Sequence, residues 1–164
     1  MTFSPRTWVV GEVVSATVMN QEIRDQFNSM FAAWTSYTPA WTASTTNPVL
    51  SNGTMVGRYM KWGRTVLCEI NLTMGSLTTF GSGNYAFGLP VQAANAGTNV
   101  IGHAQLLGTD RWMGQVVISA SGTTCAAFFP TTGNPKASFL TQVLPESHAA
   151  GDQVRLTFVY ESAT

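Results

Sequence analysis

Between residues 65 and 74 the side chains alternate almost without a break. Val66, Cys68, Ile70, Leu72 and Met74 fall on one side, and Leu67, Glu69, Asn71 and Thr73 on the other. A strand repeats every two residues and a helix every 3.6, so this run fixes a strand with one buried face. A second alternating run, 54–62, precedes it across Gly63-Arg64, a two-residue connection suited to a type II′ hairpin. Toward the end of the chain Val154, Leu156, Phe158 and Tyr160 alternate with Gln153, Arg155, Thr157 and Glu161, entered through Gly151-Asp152. The segments 85–89, 99–107, 112–119 and 123–129 read as further strands. They are broken by Gly81-Ser-Gly, Leu89-Pro, residues 108–110, Ser121-Gly122 and Gly133-Asn-Pro. Short strands at close intervals with polar turns predict a mainly β chain, an antiparallel β-sandwich of jelly-roll-like kind.

One segment has a different period. From residue 15 to about residue 34, Ile23, Phe27, Met30, Phe31 and Trp34 recur at the spacing of one helical face, and Ser15 or Thr17 can supply the N-cap oxygen. Read as heptads, Met19, Ile23, Gln26, Met30 and Ala33 follow the 4-3-4-3 spacing of a coiled-coil seam. Such a helix either packs on its own domain or forms a seam between copies of the chain. The seam is favoured, because the large apolar face stands ahead of a domain with its own core. Three parts result: an N-terminal arm and helix, 1–35, for attachment and oligomerisation through Met19, Ile23, Phe27, Met30, Phe31 and Trp34; an extended connector, 36–53, ordered by leaning on a neighbouring surface; and a β domain, 54–164.

Charge narrows the function. Only 10% of the 164 residues are charged, against roughly 25% in an average soluble domain, and eight basic and eight acidic groups cancel. Thr, with 22 copies, and Ser and Asn take their place. Little electrostatic repulsion separates such a chain from its copies, which fits a subunit whose surface is largely covered. Eight scattered Lys and Arg form no basic stripe for nucleic acid. No run approaches the ~18–20 apolar residues of a membrane span, and no leader is visible, so synthesis in a cytoplasm is expected. Cys68 and Cys125 lie among apolar or small neighbours and read as free buried thiols.

No catalytic, cofactor-binding or metal-ligating set is expected. The histidines are His103, placed on a strand with Ile101, Gln105 and Leu107 in a structural or interface role, and His148, placed in an exposed polar loop. Neither pairs locally with a nucleophile, and the spacing of His and Cys provides no metal site. The eight acids offer no evident pair for sugar hydrolysis, and no phosphate-binding glycine loop occurs. What remains is recognition: Trp62, Tyr85 and Trp112, with Asp110 and Arg111, are candidate ligand contacts, aromatic platforms beside polar handles. Their simpler role is core or subunit boundary.

The residues also carry a resemblance. Tyr37-Thr-Pro-Ala-Trp-Thr-Ala, Asn47-Pro, Asn52-Gly-Thr, Gly57-Arg-Tyr, Gly63-Arg-Thr-Val, Leu72-Thr-Met-Gly and Thr79-Phe-Gly-Ser-Gly, running to Leu89-Pro, resemble minor tail or tail-fibre proteins of tailed phages of actinobacteria. The run Gly151-Asp-Gln-Val-Arg-Leu-Thr-Phe-Val-Tyr-Glu is similar to their closing strand, and Trp8-Val-Val-Gly-Glu with Ile23-Arg-Asp to their N-terminal adaptor helix. Leu144-Pro-Glu-Ser-His-Ala-Ala departs from the pattern by lacking aromatic residues. The resemblance implies a virion structural protein, trimeric, attached to other virion proteins of tail or capsid through its N-terminal segment. It leaves three roles: a tail-tip or tail-fibre component touching the host surface, a capsid decoration or head-fibre knob, or a module binding host-wall glycan.

Overall fold

The computed structural model describes residues 7–131 and 133–164. Of the expected N-terminal arm, residues 1–6 lie outside the described residues. A short helical stretch comes first: α1 (Ala16–Met19), a π turn (Asn20–Arg24) and α2 (Asp25–Met30). Ten strands follow: β1 (Thr35–Tyr37), β2 (Trp41–Ala43), β3 (Thr54–Trp62), β4 (Thr65–Thr73), β5 (Tyr85–Gly88), β6 (Val100–Leu107), β7 (Arg111–Ile118), β8 (Thr124–Thr131), β9 (Asn134–Phe139) and β10 (Gln153–Glu161).

All strand pairs are antiparallel, in the order β1-β3-β4-β10-β6-β7-β8-β5-β2, with β9 on β8. The chain is therefore mainly β, a curled antiparallel sheet behind one short helical stretch. The predicted hairpin is present: Trp62 pairs with Thr65, and Gly63 has φ +55° while Arg64 keeps a negative φ, as a type II′ turn requires. β4 and β10 alternate as expected, with Val66, Cys68, Ile70, Leu72, Val154, Leu156, Phe158 and Tyr160 all buried. They form one core with Phe87, Leu106, Val116, Ile118 and Phe129. Each such side chain contributes roughly 1.5–3 kcal/mol of transfer free energy.

The connector of residues 36–53 belongs to the body itself. Its first part is β1 and β2, which occupy the two ends of the strand order yet are separated by only residues 38–40. Residues 35–43 thus run from the edge of β3 to the edge of β5 and tie the ends of the curled sheet together. Tyr37 donates its hydroxyl to the Gly88 carbonyl at 3.2 Å, and Trp41 meets Tyr85 edge-on at 5.2 Å. Gly57 makes the crossing feasible, because a Cβ there would collide with the Tyr37 ring and come 2.8 Å from Pro39 Cγ. The rest of the connector is held by bridges from Thr46 to Ser82 and from Val49 to Thr79.

Two features differ from expectation. The helix stops at Met30, where Phe31 takes φ −109°, and not near Trp34. β9 begins at Asn134, just after the glycine of the expected break Gly133-Asn-Pro, and pairs with β8 alone. Pro135 lacks a backbone donor, and an edge strand tolerates that.

Candidate functional site

The helical stretch forms where the sequence places it. Ser15 Oγ accepts the Val18 N–H at 3.3 Å, the expected N-cap, and Arg24 pairs with Asp25 at 2.8 Å. The π turn then widens the helix by one residue, which breaks the 4-3-4-3 spacing between Met19 and the residues after it. Ala33 of the expected seam lies past the helix end, and the Gln26 side chain lies outside what the structure describes. The apolar face does not pack on the body. Met19, Ile23, Phe27 and Met30 are 41–57% exposed and Phe31 is 80% exposed, and Val10 and Val13 upstream are uncovered as well. Contact with the body is made around the C-terminal end of α2. There Trp62 donates its indole N–H to the Met30 carbonyl at 3.2 Å, and the Arg58 guanidinium lies over the Trp34 ring at 4.7 Å. Trp34 therefore anchors the chain on β3 and is not part of the helical face.

The candidate ligand contacts are dispersed. Tyr85 is 1% exposed, faces inward from β5 and donates its hydroxyl to the Phe80 carbonyl at 2.6 Å, so it is a core residue. Trp62 pairs with Thr65, which in turn pairs with Glu161 at the C-terminal end of β10, whereas Trp112 pairs with Leu106, beside Val154 at the opposite end of β10. No common platform joins them. Trp112, half-buried, donates its indole N–H to Glu146 at 2.9 Å, and the same carboxylate accepts the Thr109 N–H at 2.7 Å and the Asp110 N–H at 3.3 Å. Glu146 thus fixes the turn that leaves Asp110 and Arg111 exposed. Sequence reasoning missed this role; the only signal was an acid within a loop of few charges.

His148 is the clearest correction. It is buried, not exposed: its ring stacks on Tyr85 at 6.1 Å and meets Phe80 at 6.0 Å, and neither ring nitrogen has a hydrogen-bond partner. Nδ1 lies 4.0 Å from Asp152 Oδ2, which already accepts the Ala149 N–H at 2.8 Å. Burial lowers the His148 pKa below its ordinary 6.5, against the opposing pull of Asp152, the Thr141 backbone and Glu146. His103 stands exposed on the outer face of β6, beside Thr157 and Gln115. Cys68 and Cys125 are free and buried; burial pushes their thiols up to about 11 and about 12 respectively.

Among the described residues no group of three or more His, Cys, Asp or Glu is placed to hold a metal ion, and no helix is long and apolar enough to cross a membrane. An open groove of about 430 Å³ runs along the outer face of β3 and β4, lined by Thr54, Val56, Arg58, Glu69, Asn71 and Thr73. The Arg58–Glu69 ion pair at 2.7 Å spans it. Comparison with protein-family models, with curated proteins and with solved structures returns no match.

Proposed function

We propose that this chain is a structural protein of a tailed-phage virion, a minor tail or tail-fibre component, made in the host cytoplasm and assembled through its N-terminal segment. The observation that carries the assembly part is the uncovered apolar helix face on a β body that completes its own core. In water such a face favours burial against a partner. The phage attribution rests on the resemblance of residues 37–90 and 151–161. In this reading the curled sheet is the sandwich-like, jelly-roll-like body of a trimer, and the chain performs no catalysis and carries no cofactor. Low charge supports it, since Thr, Ser and Asn outnumber charged groups.

A second reading, a head decoration or head-fibre knob, is favoured by the compact body, which has no repetitive shaft among the described residues. Gold-labelled antibody raised against the recombinant chain separates the two on purified virions. Label at the tail tip is expected; label over the capsid transfers the protein to the head, and unlabelled virions overturn both. Binding to host-wall sugars on a glycan array would instead favour recognition.

A further inference from the structure

The outer face of the sheet carries a row of apolar side chains that the core does not use. Met60 pairs with Leu67, Leu67 with Val159, and Ile101 with Val117. The β10–β6 register, continued along both strands, sets Val159 beside Ile101. All five alternate with residues of the inner face, and Ile101 and Val159 remain 66% and 50% exposed. The outer face of a solvated antiparallel sheet is ordinarily polar, and the flanking rows here are mostly so: Arg58, Glu69 and Thr157 lie on one side, and Thr65 and Glu161, with Trp62 at the β3 end, on the other. A contiguous apolar row between polar ones marks an interaction surface.

We propose that this row seats the helix of a second copy of the chain. The inference rests on the reading of the helix as an assembly element and names what that element packs against. Three observations favour a second copy. The helix face and the row are both apolar and uncharged, and both are exposed within one chain, the row at its Val159 and Ile101 while Met60, Leu67 and Val117 are half-buried. Their dimensions agree: Ile23 to Met30 spans ~10 Å at 1.5 Å per residue, and Leu67, Val159 and Ile101, on three adjacent strands, span ~10 Å at ~4.8 Å per strand. The chain's own helix is held at the β3 end of the row by the Trp62–Met30 hydrogen bond, leaving the row's centre open. The helical stretch is also too short and too interrupted by its π turn for a coiled coil, so a sheet surface suits it better than another helix. When each helix lies on the next copy, the contact is head-to-tail, and a rotation of one third of a turn per copy closes it into the proposed trimer.

The test uses the full chain. Ile101→Lys with Val159→Lys places charge only on the outer face, so the variant is expected to keep a cooperative melt but to fall to 17.6 kDa by light scattering. Unchanged mass in that variant, with dissociation in Phe27→Asp/Met30→Asp, overturns the seat and leaves assembly through the helix intact. Unchanged mass in both overturns both. Should the lysine variant not fold, mixed oxidation decides: Phe27→Cys chains combined with Ile101→Cys chains are expected to give a disulfide between unlike copies. Recovery of Phe27→Cys pairs alone refutes the seat in favour of helix against helix.

Discussion

Replacing His148 by phenylalanine tests the interior of the fold through its pH dependence. The ring is fully enclosed between Tyr85 and Phe80, and both nitrogens lack partners. Burial therefore holds its folded pKa below 6.5, while the unfolded chain keeps the ordinary value. Below pH 6.5 the unfolded state takes up a proton that the folded state refuses, so stability falls as pH falls toward the folded pKa and is fully present above 6.5. Between pH 7.5 and pH 5.5 the loss is at most ~1.4 kcal/mol, the ceiling for one such site over that interval. His148→Phe keeps a ring between the same neighbours and removes the proton. Near pH 8 any overpacking by the larger ring is offset by relief of unpartnered buried nitrogens, each costing about 1–3 kcal/mol. Urea unfolding of both proteins from pH 5.5 to 8 reads the difference directly. The gap in favour of the variant is expected to widen steadily as pH drops through 6.5, by no more than that ~1.4 kcal/mol down to pH 5.5. A gap that stays constant with pH would refute the enclosed, neutral histidine, and overpacking alone cannot imitate the widening.

Other consequences are open to simple measurements. Glu146→Gln turns one acceptor oxygen into an amide donor facing the Thr109, Asp110 or Trp112 N–H, and should lower stability by about 1–3 kcal/mol in urea titration; no change would mean the turn holds without the carboxylate. Gly57→Ala drives a methyl into Tyr37 and Pro39 where residues 35–43 cross β3, with an expected loss of about 1–3 kcal/mol by thermal melt. Cys68 and Cys125, with thiols at about 11 and about 12, should ignore a thiol reagent at pH 8 until urea unfolds the chain; stoichiometric labelling of the folded protein would contradict their burial.

The legible parts of the fold are those with long, half-buried strands. β3, β4 and β10 each span nine residues, enough for alternation to show, and they were readable to within a residue or so. β1 and β2, at three residues each, are too short to show any period, so the segment tying the sheet's ends together read as a connector. β9 was hidden by Pro135, which reads as a break unless the strand is known to lie at an edge. Helical spacing found the helix and Ser15 its cap, but a π turn leaves no mark in apolar spacing, and Trp34 matched the helical face by coincidence of count. Tyr85 and His148 depended on which way a loop folds back: alternation in β5 buries Tyr85, and the loop of residues 146–151 then covers it with the histidine. The outer apolar row emerges only from register across β3, β4, β10, β6 and β7, which no single segment contains.

The central claim, that this chain is an assembly subunit joined through its helix, is tested most directly by its mass in solution. Light scattering on the purified chain across a hundredfold range of concentration should give a multiple of 17.6 kDa, threefold for the proposed trimer, and the single-chain mass for Phe27→Asp/Met30→Asp. A parent protein that stays at 17.6 kDa throughout would contradict the account.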